Sequence, residues 1–286
     1  MEEKNKVLSS TLYLVGTPIG NLSDVSERAK KVLSEVSFVA AEDTRNSARL
    51  LTSLGIHTEI VSYHEHNKRA SGEKILSRLL SGESCALITD AGMPAISDPG
   101  EDLVRECAEA GITVSVIPGP CAAVSALALS ALSTRRFCFE GFLSPVSGER
   151  KKRLEALRSE YRTMIFYEAP HKLCKTLSDM KGYFGEDRKI SLCREITKLN
   201  EEIERVTLRE AVKIYESKEP RGEYVLVVDG FSGKEENEAL SELTELSPEA
   251  HVEHYEAQGY KKMDAIKLAA KDRGMSKSEL YKILNS

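Results

Sequence analysis

Leu12-Tyr13-Leu14-Val15-Gly16-Thr17-Pro18-Ile19-Gly20-Asn21 is a short apolar run followed by a loop whose glycines permit a turn and a close approach of backbone to a ligand. Beyond it, Ala29, Val32, Leu33 and Val36 keep the i, i+3, i+4, i+7 spacing of one apolar helix face, and a second apolar run covers Ser37 to Ala41. Strand, helix and strand in this order predict a helix packed on a sheet. The alternation returns at Ala86 to Thr89, Thr113 to Ile117, Met164 to Tyr167, Ile190 to Cys193 and Tyr224 to Val228, so the expected class is α/β.

Asp98, Pro99 and Glu101 read as N-cap, first-turn proline and N3 acid of a helix with Leu103, Val104 and Cys107 turned inward and Gly111 beyond its end. At Pro118-Gly119-Pro120 two prolines stop the strand that ends at Ile117. This joint divides the chain into an N-terminal α/β domain, 1–118, and a C-terminal one, 119–230. The second domain opens with a buried Ala- and Leu-rich helix, Ala122 to Leu132, and Arg135 to Phe142 starts its sheet. The remainder, 231–286, reads as an acidic linker and a small helical tail. Lys234 to Glu256 holds eight glutamates and one lysine, whereas Gly259 to Ser286 holds seven Lys or Arg against three acids. Within it Lys261 to Arg273 is a helix, Gly274 a turn, and Ser276 with Glu279 a capping box for a second helix. A helix-turn-helix-like unit and a helical hairpin packed on protein are equally open readings.

The 286 residues are 41% hydrophobic and 30% charged, enough for real cores, which excludes disorder as a description of the whole chain. A net charge of -5 excludes a nonspecific nucleic-acid coat but leaves local basic surfaces open. Residues 1–6 contain no apolar signal core, and Pro118, Gly119 and Pro120 break the least polar stretch, so a cytosolic protein without a membrane span is expected. Six scattered cysteines form no Cys-x-x-Cys pair, and neither His64 with His66 nor His251 with His254 has further ligands at metal-site spacing, so no metal is expected.

Three loops at strand ends carry the polar residues, where open α/β sheets place ligands. Gly16 to Asn21 satisfies neither the dinucleotide fingerprint nor the phosphate-cradling P-loop. Glu42, Asp43 and Arg45 follow the second strand, and Asp43 or Thr44 is equally suited to capping the helix that carries Ala48, Leu51 and Leu54. Between Thr89 and Gly100, small side chains leave room for a ligand. There Asp90 is the sharper candidate for gripping amine or hydroxyl groups, with an Asx-turn as its alternative, and Asp98 is better explained by capping.

Eight segments in order, Leu12 to Asn21, Ala41 to Arg45, Ser62 to Asn67, Asp90 to Gly100, Pro118 to Ala122, Phe166 to His171, Arg194 to Lys198 and Gly222 to Val225, together resemble the bacterial 16S ribosomal RNA 2'-O-ribose cytidine methyltransferases, which are similar to tetrapyrrole methylases. The resemblance spans most of the chain. It implies two α/β domains of tetrapyrrole methylase type with S-adenosylmethionine in the cleft between them. It also implies a homodimer and a methyl acceptor in the decoding region of 16S rRNA, on the assembled small ribosomal subunit. Carried over by motif, Gly16, Thr17, Pro18 and Asn21, then Asp90, Ala91, Gly92 and Pro94, then Cys121, Ala122 and Tyr167 would contact the cofactor. The family usually has serine at the position of Cys121, so the implied contact there is through backbone.

Methyl transfer from a sulfonium is an in-line displacement in which placement dominates. A ribose hydroxyl is a weak nucleophile, helped by a proton acceptor or by a cation near the developing alkoxide. Candidates are Glu42, Asp43, Arg45, Tyr167, Glu168, Arg194, Glu195 and Lys198, with no single base singled out and with an Arg194–Glu195 ion pair as the alternative for those two. Arg135, Arg136, Arg150, Lys151, Lys152, Arg153 and the tail lysines are candidates for phosphate contacts, although a solvated helix face also explains residues 150–153. Tyr63, His64 and His66 are candidates for base contacts. Methylation of a tetrapyrrole or other small acceptor, and a noncatalytic ribosome-assembly factor, are the competing functions.

Overall fold

The computed structural model describes residues 6–233 and 243–284, and the chain divides at Gly230 into two units. The first contains two five-stranded sheets. Strands β1 (Thr11–Val15), β2 (Phe38–Ala41), β3 (Glu59–Ser62), β4 (Cys85–Ile88) and β5 (Thr113–Ile117) lie in the order β3-β2-β4-β1-β5, all parallel. A parallel sheet needs cover on both faces, and the central strands β2 and β4 are buried at every residue. Alternate residues make the two faces. Val32 and Leu33 of α1 (Glu27–Glu35) and Leu51 of α2 (Thr44–Ser53) pack with Tyr13, Val15, Val39 and Ile88. On the opposite face Ile75 and Leu79 of α3 (Lys68–Leu80) and Leu103 and Cys107 of α4 (Gly100–Glu109) meet Leu12, Phe38 and Leu87. The neighbours β1 and β4 thus send their helices to opposite faces, which opens a crevice at their carboxyl ends.

The second sheet comprises β6 (Phe137–Phe142), β7 (Thr163–Glu168), β8 (Lys189–Arg194), β9 (Glu202–Thr207) and β10 (Tyr224–Val228), in the order β6-β7-β10-β8-β9. Only β6 and β7 are parallel; the other pairs are antiparallel. Leu154 of α6 (Ser147–Ala156), Leu173 and Phe184 of α7 (Pro170–Phe184) and Leu208 of α8 (Leu208–Tyr215) cover one face. On the other, Ala123, Ala126 and Leu127 of α5 (Ala122–Leu129) meet Ile165, Cys193 and Val227, and Ile19 from the loop after β1 joins them. The joint at 118–120 links β5 to α5, and residues up to Gly230 form one compact unit.

Several expectations shift. Helix α5 ends at Leu129 rather than Leu132, because Ser130 turns its hydroxyl back to the Leu127 carbonyl and Ala131 is left-handed. Helix α4 begins at Gly100, so Pro99 lies just outside it, yet Asp98 keeps its capping part by accepting from the Gly100 amide at 2.7 Å. Strands β3 and β9 were not read from the sequence. Arg150 does not belong to an exposed cationic cluster: it is 4% exposed, donates to Asp179 at 2.7 Å and to the Ser144 and Pro145 carbonyls, and ties α6 to α7. Arg153 is paired with Glu140. Tyr63 is a core residue whose hydroxyl donates to the Pro99 carbonyl, which removes it from base contacts.

In the second unit, α9 (Pro248–Ala257), α10 (Lys262–Asp272) and α11 (Lys277–Ile283) enclose Val252, Ala265, Ile266, Ala269, Ala270 and Leu280. The expected Ser276–Glu279 capping box opens α11. Part of the acidic segment expected as linker, 234–242, lies outside the described residues, and its later part forms α9. Among the described residues no helix is long and apolar enough to cross a membrane.

Candidate active site

A cleft of about 1010 Å³ lies in the first unit, lined by residues from the ends of both sheets. The first sheet supplies Ile19, Glu42, the loop from Thr89 to Pro99, Cys121 and Ala122; the second supplies Tyr167, Glu168, Glu195, Lys198 and Glu223. Antiparallel pairing explains the last of these. Tyr224 lies opposite both Glu168 and Arg194, so the start of β10 shares an edge with the ends of β7 and β8.

On the first wall, backbone ties two loops together. Thr17 and Gly92 exchange amide hydrogen bonds of 2.9 and 3.2 Å, and the buried Thr17 hydroxyl donates to the Thr89 carbonyl at 3.1 Å. Gly16 packs against Gly119 so closely that a Cβ would lie 2.6 Å from the Gly119 Cα. The Asn21 side chain accepts from the Ser23 amide and caps a 3-10 turn. Gly16, Thr17, Pro18 and Asn21 therefore shape this wall without lining the cleft, which Ile19 does. Asp90, Ala91 and Gly92 line it, while Pro94 is buried behind them. Ala95 and Ser97 hold left-handed backbone at φ 64° and 63°, a strained conformation for residues with side chains, and the Asp98 carboxylate braces the turn by accepting from the Ala95 amide at 3.0 Å.

The acids of this wall fall into two groups. Asp43 caps α2 by accepting from the Arg45 amide at 2.8 Å, and the Arg45 guanidinium meets the same carboxylate at 2.9 Å. These contacts hold the Asp43 carboxyl at about 2, and neither Asp43 nor Arg45 lines the cleft. Glu42 does. Burial pushes its carboxyl above the ordinary value, with the negative charges of Asp90 and Asp98 adding to the effect. Among the described residues the one hydrogen-bond contact of its carboxylate is a weak 3.5 Å approach of the Thr89 hydroxyl. Asp90 accepts from the Asn46 amide at 3.2 Å.

Charges on the second wall are matched within it. Glu168 turns one oxygen to the Thr176 hydroxyl at 2.6 Å and the other to the Ala169 amide at 2.8 Å, fixing the start of α7. Arg194 and Glu195 do not pair with each other: Arg194 donates to Glu202 on β9, and Glu195 receives Lys198 at 2.8 Å. Arg194 is outside the lining. Burial acts to raise the Glu195 carboxyl, but the bonds from Lys198 and the Glu223 amide leave it lowered. Tyr167 packs edge-on to Phe139, and burial followed by the nearby Cys121 raises its phenol. Sequence reasoning missed Glu65, Lys68 and Asp102, where Lys68 bridges the two acids at 2.9 and 2.8 Å. Glu65 and Lys68 stand in the loop after the unread strand β3 and at the start of α3, whereas Asp102 is on α4, after β4. Recognising β3 would have added a fourth strand-end loop for the first two, and only packing brings Asp102 to them. Among the described residues no group of three His, Cys, Asp or Glu is arranged to hold a metal ion.

Residues 11–212 match Tetrapyrrole (Corrin/Porphyrin) Methylases. The chain belongs to this family. The fold class read from its motifs, and their likeness to tetrapyrrole methylases, are thereby borne out. A curated relative, Ribosomal RNA small subunit methyltransferase I of Halalkalibacterium halodurans, is 48% identical over 96% of this chain and 94% of its own length. The protein of the same name from Bacillus subtilis is 46% identical over 94% and 92%. Among solved structures, uroporphyrin-III-C-methyltransferase from Thermus thermophilus shares the fold of the family at a TM-score of 0.55 and 19% identity, over 76% of this chain and 94% of that one.

Proposed function

We propose that this protein transfers the methyl group of S-adenosylmethionine to the ribose 2'-oxygen of a cytidine in the decoding region of 16S rRNA, acting on the small ribosomal subunit in the cytoplasm as a homodimer. The observation that carries the rRNA assignment is near full-length kinship, at 40–48% identity, with curated proteins named for methylation of small-subunit RNA. The 2'-oxygen and the cytidine rest on the motif resemblance.

The residues present fit the donor. Nine carboxylates and two lysines line the cleft, which favours a ligand carrying a sulfonium and an ammonium, and Ile19, Ile196 and Val225 offer apolar surface to a purine. Asp90, the backbone of Ala91 and Gly92, Cys121 with Ala122, and Tyr167 are the residues to hold it. When bound it supplies an electrophilic methyl group on cationic sulfur. Glu42 is the proton acceptor this reading favours, since its raised carboxyl is a stronger base than an ordinary glutamate and, among the described residues, no cation is bound to it by hydrogen bonds. The same negative lining disfavours phosphates, so only the target nucleotide enters the cleft, its ribose 2'-oxygen foremost, while the flanking RNA is held outside it. Exposed Arg135, Arg136, Lys151 and Lys152 are available for that contact.

The test uses purified protein, small subunits from cells lacking it, and methyl-labelled S-adenosylmethionine. Label recovered as 2'-O-methylcytidine from the decoding region is the expected result. Label on a base overturns the oxygen assignment; transfer to a porphyrin but not to RNA overturns the substrate class; donor-independent binding to subunits leaves an assembly factor.

A further inference from the structure

We infer that Lys198 is a positioning residue that clamps the loop after β1 to the loop after β8 and so fixes the spacing of the two cleft walls. The inference rests on the methyl-transfer reading of that cleft and goes beyond it by taking Lys198 out of the chemistry. Its ammonium lies 2.8 Å from Glu195 and 2.9 Å from Glu223, which join the end of β8 to the start of β10. The Glu195 carboxylate also accepts from the Glu223 amide at 2.9 Å, and the Glu195 amide donates to the Glu223 carbonyl at 3.0 Å. Glu195 and Thr197 are left-handed, at φ 51° and 69°, so this short loop is held against its backbone preference.

What makes the loop a clamp is the stem of Lys198. It crosses Gly20, where an added Cβ would lie 2.3 Å from the Lys198 Cγ and 3.0 Å from the Thr197 hydroxyl oxygen. On the other side, a Cβ at Gly222 would lie 2.6 Å from the Glu195 carboxyl carbon. Two glycines, one on each wall, lie against one ion-paired loop. Both also hold positive φ, 155° at Gly20 and 78° at Gly222, so part of the cost of a side chain at either is backbone strain that Lys198 does not cause. The lysine's flexible stem spans the seam, and its charged end is anchored on the second wall alone. With its ammonium bound to two carboxylates, Lys198 stays protonated and is a poor proton acceptor.

Single-turnover methylation of small subunits, S-adenosylmethionine affinity by calorimetry, and melting temperature are measured for Lys198→Met, Lys198→Arg, Lys198→Ala, Gly20→Ala and the Gly20→Ala/Lys198→Ala double variant. Lys198→Met keeps the stem and loses the anchor; it is expected to slow transfer about tenfold with a smaller change in donor affinity, and Lys198→Arg to recover most of that loss. Lys198→Ala removes the Cγ that a Cβ at residue 20 would strike but leaves the backbone strain at φ 155° and the Thr197 contact, so the two alanines are expected to be sub-additive by about threefold, with Gly20→Ala still costly alone. Lys198→Arg as slow as Lys198→Met, or strictly additive alanines, overturns the clamp. A wild-type protein that binds no S-adenosylmethionine overturns the methyl-transfer reading instead, and the alanine coupling is then read from the melting temperatures.

Discussion

On the first-sheet wall, Asp90 has one neutral side-chain partner, Asn46, and Glu42 has a weak contact with Thr89. On the second-sheet wall, Glu168 and Lys198 each engage two close partners, and Glu195 receives both an ammonium and an amide. Both walls carry carboxylates facing one cleft, yet their surroundings differ. Carboxylates with strong local partners hold elements in place; those left with weak partners can reorganise around a ligand. The contrast sets Glu42 and Asp90, which are weakly held, apart from Glu168 and Glu195 and from Asp98, Glu65 and Asp102 on their own wall, all of which have close partners. Under the proposed function Glu42 and Asp90 are the acids that meet the ligands.

The largest effect that can break this division is at Glu168. Glu168→Ala leaves the buried Thr176 hydroxyl and the start of α7 without their acceptor and is expected to destabilise the fold by about 3 kcal/mol, read by urea denaturation. Donor affinity measured well below the transition should be unchanged; a loss there would give Glu168 to the site. Next comes Glu42→Gln, expected to slow single-turnover transfer about a hundredfold while leaving donor affinity within about twofold. In the unsubstituted enzyme the rate falls as pH drops through the raised Glu42 value, because protonation removes the base, and that acid limb should vanish in Glu42→Gln. An unchanged acid limb would remove Glu42 from proton transfer.

Asp90→Asn sharpens the same comparison, with about tenfold weaker S-adenosylmethionine binding by calorimetry and an unchanged melting temperature. Equal affinity would exclude Asp90 from donor recognition. The smallest effect belongs to Arg45, whose guanidinium is 85% exposed and pairs with the helix-capping Asp43 outside the cleft. Arg45→Met should alter neither donor affinity nor the transfer rate measurably in physiological salt, where an exposed pair is screened. A marked rate loss would extend the acceptor site beyond the cleft as drawn.

The strands legible in the sequence are uncharged apolar or β-branched runs, including the edge strand β5, Thr-Val-Ser-Val-Ile. Phe38 to Ala41 and Tyr224 to Val228 are buried throughout and read as continuous apolar runs. The unread strands are edges: β3, Glu-Ile-Val-Ser, is largely half-exposed, and β9 carries Glu202, Glu204 and Arg205, charges that suit an edge but mask a strand in a sequence. β6, expected over Arg135 to Phe142, is found at Phe137–Phe142, with a ladder shift between Phe139 and Gly141. The site was legible as loops after strands, since Glu42 and Asp90 follow the strands directly. The partners that decide each residue's part were not. Asp179 lies on a different helix from Arg150, and Glu202 on the strand beside Arg194, so their pairing depends on packing rather than spacing.

The paired Thr17–Gly92 hydrogen bonds turn two glycine-bearing loops into a short ladder of their own. Amides in such a ladder exchange with solvent only when both loops separate, so in deuterated water Thr17 and Gly92 should hold their protons far longer than exposed residues nearby. The floor beside Asp90 would then be as rigid as the sheet beneath it, and any adjustment to an incoming substrate would have to be made by side chains or by the opposite bank.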